Sequence, residues 1–294
     1  MSPSDLPLDS VQGGAYAPRV KTRAPDPGLD MNAVVGVCDV AFLVIDALRY
    51  DVAARALAAG ATPNLARLLP QGWERRDTPG NFTYSAHQAF FAGFWPTPTA
   101  PGPHPRRMAV RFGGSETTVE TTCVVDAPTV VEGLAQRGYR TICVGGVGFF
   151  NPASPLGTVL PGHFAEAHWS RELGVTGPES PRLQVELACE RLRAVPADQR
   201  AFLFVNFSAV HQPNRLFLPG AEEDSLASHE AALTAVDAAL PPLFAALAAR
   251  GSAFCVLCSD HGTAYGEDGL WGHRHNHPTV TRVPYAELFV EAAC

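Results

Sequence analysis

The stretch Val40-Ala41-Phe42-Leu43-Val44-Ile45-Asp46 decides how the chain reads. Six apolar residues in a row, with no polar alternation, do not fit a strand wetted on one side. They fit a strand covered on both faces, as in the parallel sheet of an α/β protein, and the run stops abruptly at a carboxylate. Three other segments repeat the design. Thr141-Ile142-Cys143-Val144 follows a helix-like stretch over 128–137 that ends at Gly138, and Ala201-Phe202-Leu203-Phe204-Val205 follows an amphipathic stretch over 184–193. Phe254 to Cys258 follows a long Ala/Leu-rich helix over 228–250, interrupted by Pro241-Pro242 and stopped by Gly251. This alternation predicts an α/β fold with a mostly parallel central sheet and helices on both faces. Ligands of such sheets gather outside the carboxyl ends of the strands.

Outward from that core, residues 1–36 are rich in Pro, Gly, Asp and Ser without periodicity and read as a loose arm that covers the domain or stays mobile. Residues 37–294 read as one domain, since 294 residues with 46% apolar composition suffice for one large core. The Pro-rich segment 94–105 is a loop of that domain, and 94–111 with 151–183 are expected to form the rim of its pocket.

Composition excludes several classes. No apolar run approaches the roughly 18 residues needed to span a bilayer, and the first thirty residues lack the apolar core of a secretion signal, so a cytoplasmic location with no membrane partner is expected. The net charge of -7 argues against a nucleic-acid surface, and the basic pair Arg106-Arg107 is too short to change that. Of the seven cysteines, Cys38, Cys143, Cys255 and Cys258 fall in apolar runs and are expected to be reduced and buried. Cys255-x-x-Cys258 lies inside a strand and does not read as a metal knuckle. Gly145-Gly146-Val147-Gly148 lacks the full dinucleotide-binding glycine pattern.

Three strand ends deliver polar groups: Asp46 after the first, Asn206 with His211 after the third, and Asp260-His261-Gly262 after the fourth. Each aspartate alone could be a helix or turn cap. Two carboxylates desolvated at one sheet edge repel each other, and a cation between them removes the conflict. Asp46, Asp260 and His261 supply two oxygens and one nitrogen, a donor set that favours Zn²⁺ or Mn²⁺ over an all-oxygen Ca²⁺ site and leaves Mg²⁺ or Ca²⁺ open. One or two divalent ions are expected. Gly272-His273-Arg274-His275-Asn276-His277 places three of the ten histidines within five positions, and spacing does not tell which of them faces a site.

Four blocks, in order, resemble the alkaline phosphatase superfamily, in particular its sulfatase-like and nucleotide pyrophosphatase/phosphodiesterase branches. The first is Phe42 to Asp51 with the later Thr62-Pro63-Asn64-Leu65, similar to the opening metal-Asp strand and its loop. The second, Thr83-Tyr84-Ser85-Ala86-His87 through Gly93, resembles the nucleophile turn and its helix. The third is Phe202 to Phe207 leading to His211 and Pro213. The last runs from Leu257-Cys258-Ser259-Asp260-His261-Gly262 through His273 to Pro284. The likeness covers about residues 38–290.

The resemblance implies that Thr83 is the nucleophile and shares the cation held by Asp46, Asp260 and His261. His211 and His273 would contact the substrate, and His211, His273 and His275 could bind a second ion. A metal-dependent hydrolase of phosphate-type esters (phosphomonoester, phosphodiester or phosphonate), working on a small-molecule substrate through a phosphothreonine intermediate, is the expected activity. A phosphoryl-group transferase using the same nucleophile is the nearest alternative, ahead of a sulfatase or a non-catalytic binding domain. The departures are specific. Thr83, Ser85 and His87 replace the Cys/Ser-x-Pro-x-Arg motif that sulfatases convert to formylglycine. Ala47 stands where sulfatases carry a second metal aspartate, and no second-metal aspartate precedes His211. The sulfatase C-terminal subdomain is expected to be lacking, since the chain stops soon after Pro284.

Overall fold

A computed structural model describes residues 20–93 and 128–292. The loop 94–105, the rim segment 94–111 and Arg106-Arg107 lie outside the described residues. Ten strands occur among the described residues: β1 (Thr22–Arg23), β2 (Asp39–Ile45), β3 (Glu74–Asp77), β4 (Arg140–Val144), β5 (Glu166–His168), β6 (Ala201–Phe207), β7 (Ala253–Cys258), β8 (Ala264–Tyr265), β9 (Trp271–Gly272) and β10 (Arg282–Val290). Eight of them form one sheet ordered β1-β10-β7-β2-β6-β4-β5, with β3 also paired to β10, while β8 and β9 make a separate ribbon.

The sheet is parallel from β7 through β2, β6 and β4 to β5. The four apolar runs are its centre, as the sequence predicts. Alternate residues of β2 feed two cores: Ala41, Leu43 and Ile45 on one face, Val40 and Val44 on the other. Likewise Leu203, Val205 and Phe207 of β6 oppose Phe202 and Phe204. Burial on both sides is why the runs lack polar alternation. The first face is covered by α1 (Tyr50–Ala58), α2 (Pro63–Leu68), α5 (Ser180–Ala194), α6 (Leu226–Ala239) and α7 (Pro241–Arg250); the second by α3 (Thr83–Ala92) and α4 (Val130–Gln136). A single turn, α8 (Pro278–Thr281), precedes β10.

One reading needs amendment. The stretch Leu226–Arg250 is, by length and composition, long and apolar enough to cross a bilayer, contrary to the expectation that no such run exists. It is broken into α6 and α7 where Pro241 opens the second helix, a position that tolerates proline because no intrahelical donor is needed there. Half of its apolar window is buried, and Leu233, Val236, Leu243, Phe244 and Leu247 lie in the core. The sheet is mostly parallel, with an antiparallel edge that carries no signal in the sequence. In β10 the interior Pro284 and Glu287 obscure the strand pattern, yet Tyr285 to Val290 pair with Cys258 to Ala253. Within the segment read as an arm, Thr22–Arg23 pairs with Val290 and Phe289, Arg23 lies over the Phe289 ring at 4.3 Å, and Val34 is buried. Residues 1–19 lie outside the described residues.

Candidate active site

The carboxyl ends of β2 and β7 are tied together by side chains. After Ile45 the chain turns sharply at Ala47, whose φ of 62° is left-handed. For a residue with a Cβ this costs about 1–2 kcal/mol, and such strain collects at functional sites. The turn aims Ala47 N–H at Asp260 Oδ1 (3.1 Å) and Leu48 N–H at Ser259 Oγ (2.9 Å). Asp260 Oδ1 also accepts from the His261 backbone N–H at 2.9 Å. On the neighbouring strand β6, Asn206 donates from Nδ2 to Asp46 Oδ2 at 2.9 Å and accepts from Val147 N–H at 3.0 Å.

These bonds leave two oxygens over. Asp46 Oδ1 and Asp260 Oδ2 are buried without a hydrogen-bond partner among the described residues. His261 Nδ1 lies 2.8 Å from the Gly262 carbonyl, which can only accept, so Nδ1 carries the proton and Nε2 offers its lone pair. That nitrogen is 3.8 Å from Asp46 Oδ1 and 3.6 Å from Asp260 Oδ2. Thr83 opens α3, and its hydroxyl lies 3.4 Å from Asp46 Oδ2 and 3.3 Å from His261 Nε2. All four side chains are buried.

The donors fit a divalent cation. Ligands placed about 2.0–2.1 Å from a tetrahedral Zn²⁺ stand about 3.3 Å apart, close to the separations found here. Orphaned carboxylate oxygens in a dry site are otherwise costly. Asp46, Asp260 and His261 form a cluster whose ligand atoms lie within 4.8 Å of one another.

Electrostatics agree. Burial, reinforced by the charge of Asp260, pushes Asp46 up to about 6, against the pull of His211, His261 and Asn206. Burial likewise pushes Asp260 up to about 7, opposed by the two backbone N–H groups on Oδ1. Burial lowers His261, with Asp46 opposing. Two carboxylates that resist ionisation side by side are what a cation would neutralise.

The histidine cluster separates. The His273 ring stacks on His261, centroids 4.5 Å apart, and faces His211 at 5.4 Å. Burial, with the charges of His261 and His211, lowers His273 to about 3. His277 turns elsewhere, capping α8 through Thr279 and meeting Asp268 at 3.1 Å. His275 lies 6.4 Å from the His277 ring, and both its ring nitrogens lack partners among the described residues. An apolar cavity of about 560 Å³, lined by Phe42, Phe90, Phe202 and Tyr285, includes none of the cluster residues. Sequence reasoning did not assign Ser259, which ties β7 to the Asp46 turn, nor His87, whose Nδ1 donates to the Thr83 carbonyl at 2.7 Å. Neither carries a pattern that reveals such a bond in advance.

No family model and no curated protein matches the sequence. Solved structures do match in shape. A sulfatase candidate, YidJ from Bacteroides fragilis, is 17% identical, with a TM-score of 0.60 over 85% of this chain and 67% of that one. A protein in the alkaline phosphatase superfamily from Vibrio parahaemolyticus is 14% identical, with a TM-score of 0.52 over 87% and 60%. The chain has the alkaline phosphatase fold. That fold also occurs in the C-terminal periplasmic domain of the phosphoethanolamine transferase EptC from Campylobacter jejuni, 13% identical, TM-score 0.55, over 85% and 78%. The periplasmic domain of EcEptC from Escherichia coli is a zinc complex. These periplasmic domains overturn the expectation of a cytoplasmic location: the same fold occurs outside the cytoplasm, and the composition of residues 1–30 does not indicate a compartment.

Proposed function

We propose that the chain is a metal-dependent enzyme that moves a phosphoryl-type group from a small-molecule ester onto Thr83 and then to water or to an alcohol acceptor. One observation carries this reading: two orphaned carboxylate oxygens and an imidazole lone pair converge beside a buried threonine hydroxyl.

Asp46, Asp260 and His261 would hold the divalent cation, Zn²⁺ or Mn²⁺ by donor type. When bound, it supplies Lewis acidity that lowers the pKa of a hydroxyl and offsets phosphoryl charge. Thr83 Oγ, its proton released to solvent, attacks phosphorus, the bond to the leaving-group oxygen breaks, and a phosphothreonine remains. Because Thr83 opens α3, the free backbone N–H groups of that first turn and its positive dipole end would be available to the phosphate. His273, held neutral by burial, donates a hydrogen bond to a phosphoryl oxygen. His211, partly exposed and facing His273, protonates the departing oxygen. The second half-reaction reverses these roles with water or an alcohol as nucleophile.

Hydrolysis needs only water, whereas the likeness to a phosphoethanolamine transferase supports an acceptor alcohol. The experiment is an acid quench of the zinc-loaded protein with bis(p-nitrophenyl) phosphate and p-nitrophenyl phosphate, followed by mass spectrometry of the Thr83 peptide and product analysis with and without added alcohols. A phosphoryl-type adduct on Thr83 is expected. A product that partitions to the alcohol assigns transfer; turnover without any adduct on Thr83 contradicts the reading.

A further inference from the structure

His87 sits one helical turn after Thr83 in α3 and has no part in the cluster or in the reaction above. Its side chain is fully buried. Phe90, Phe91, Phe150 and Phe204 surround the ring edge-on, with centroids 5.6, 6.0, 5.6 and 5.5 Å away. Such a cage suits an apolar side chain, and a polar ring placed there is unfavourable unless it gains a bond. The bond it gains is specific. Nδ1 lies 2.7 Å from the Thr83 carbonyl oxygen and 3.7 Å from Asp260 Oδ2. The carbonyl oxygen can only accept, so Nδ1 carries the proton, while Nε2 has no partner among the described residues.

That single N–H is therefore bonded to the peptide carbonyl of the nucleophile, while the same ring nitrogen lies against the free oxygen of Asp260; one group opens a helix, the other follows a strand, and they meet only in the folded chain. We propose that His87 is a positioning residue: its Nδ1–H, bonded to the Thr83 carbonyl, fixes the first turn of α3 with the ring packed beside Asp260, so that the Thr83 hydroxyl and Asp260 Oδ2 reach the same cation. This rests on the phosphoryl-transfer reading for its consequence in catalysis, but not for its consequence in metal binding. Partners that orient metal ligands are typically worth about 10- to 100-fold in affinity or activity.

Two variants separate positioning from packing. His87→Phe fills the aromatic cage but has no donor. His87→Asn keeps an N–H near the place of Nδ1 but leaves part of the cage empty. Packing alone orders both stability and function as Phe above Asn. Positioning predicts opposite orders: a melting temperature at least as high in His87→Phe as in His87→Asn, yet zinc affinity by calorimetry about 10- to 100-fold weaker than wild type in Phe and within about fivefold in Asn. On bis(p-nitrophenyl) phosphate, kcat is expected to follow the same order with KM little changed. Wild-type zinc affinity in His87→Phe, or losses that track melting temperature in both variants, overturns the proposal. Zinc affinities in the expected order, from a chain that turns over no ester, support the positioning role and refute phosphoryl transfer.

Discussion

The hydroxyl of Thr83 lies 3.4 Å from Oδ2 of Asp46, 37 residues earlier in the chain, and the two are brought together by the start of a helix on one face and the end of a central strand. Neither side chain caps the helix that follows it. Thr83 is buried at a helix start where no side-chain cap is made, and Asp46 keeps one oxygen unpaired among the described residues.

Removing the hydroxyl separates chemistry from binding. Thr83→Ala is expected to lower turnover of an aryl phosphodiester by about a thousandfold or more while leaving near-stoichiometric zinc in the purified protein. Thr83→Ser retains a nucleophile and is expected to keep measurable activity. Elemental analysis alongside steady-state kinetics checks both.

Asp260 couples metal binding to pH. Its folded pKa of about 7 stands above its ordinary value of 3.8 because of burial, so the folded chain holds a proton there that the unfolded chain has released. This contribution to stability is fully present below about pH 4 and is lost as pH rises through about 7. Asp260→Asn keeps an oxygen for the two backbone N–H groups and removes the ionisation. The metal-free variant is expected to melt about 5 °C above metal-free wild type at pH 8, with the gap closing toward pH 4. The buried histidines titrate in both proteins and cancel in that comparison. A variant less stable than wild type at pH 8 contradicts the burial argument.

The same carboxylates make cation affinity depend on protons. Asp46 and Asp260, raised to about 6 and about 7, must be ionised to act as ligands. Apparent zinc affinity is expected to be flat above about pH 8 and to fall about tenfold per unit from pH 7 to 6, then more steeply as the second carboxylate takes its proton. Titration calorimetry across that range, with proton release measured in buffers of different ionisation enthalpy, reads it directly.

How much of this was legible in the chain itself differs from part to part. The parallel centre was, because Val40 to Ile45 and its three counterparts are buried on both faces and so carry unbroken apolar runs. The antiparallel edge was not: Pro284 and Glu287 in β10 face positions where the ladder and solvent tolerate them, which leaves no periodic signal. Asp46, Asp260 and His261 stood out because a charge immediately after such a run is chemically anomalous. Choosing among His273, His275 and His277 needed coordinates, since the left-handed turns at Gly272 and Arg274 scramble the alternation that spacing relies on. His87 was hidden for a related reason: a histidine within an apolar helix gives no hint that its proton serves a carbonyl one turn earlier.

Ala47 offers a test of strain at the turn. Its φ of 62° is one glycine adopts freely. Ala47→Gly should therefore stabilise the protein by about 1 kcal/mol, or about 2 °C in melting temperature, with Ala47 N–H still donating to Asp260. A loss of stability would show that the methyl group, at 1% exposure in the core, is worth more in packing than the backbone strain it imposes.

Anomalous diffraction at the zinc edge from crystals soaked in zinc locates the cation itself. If Asp46, Asp260 and His261 share one ion, a single strong peak is expected within about 2.3 Å of a carboxylate oxygen of Asp46, a carboxylate oxygen of Asp260 and Nε2 of His261, with Thr83 Oγ in its coordination sphere. Zinc bound only at other histidines, with Asp46 Oδ1 and Asp260 Oδ2 free of any cation, would contradict it.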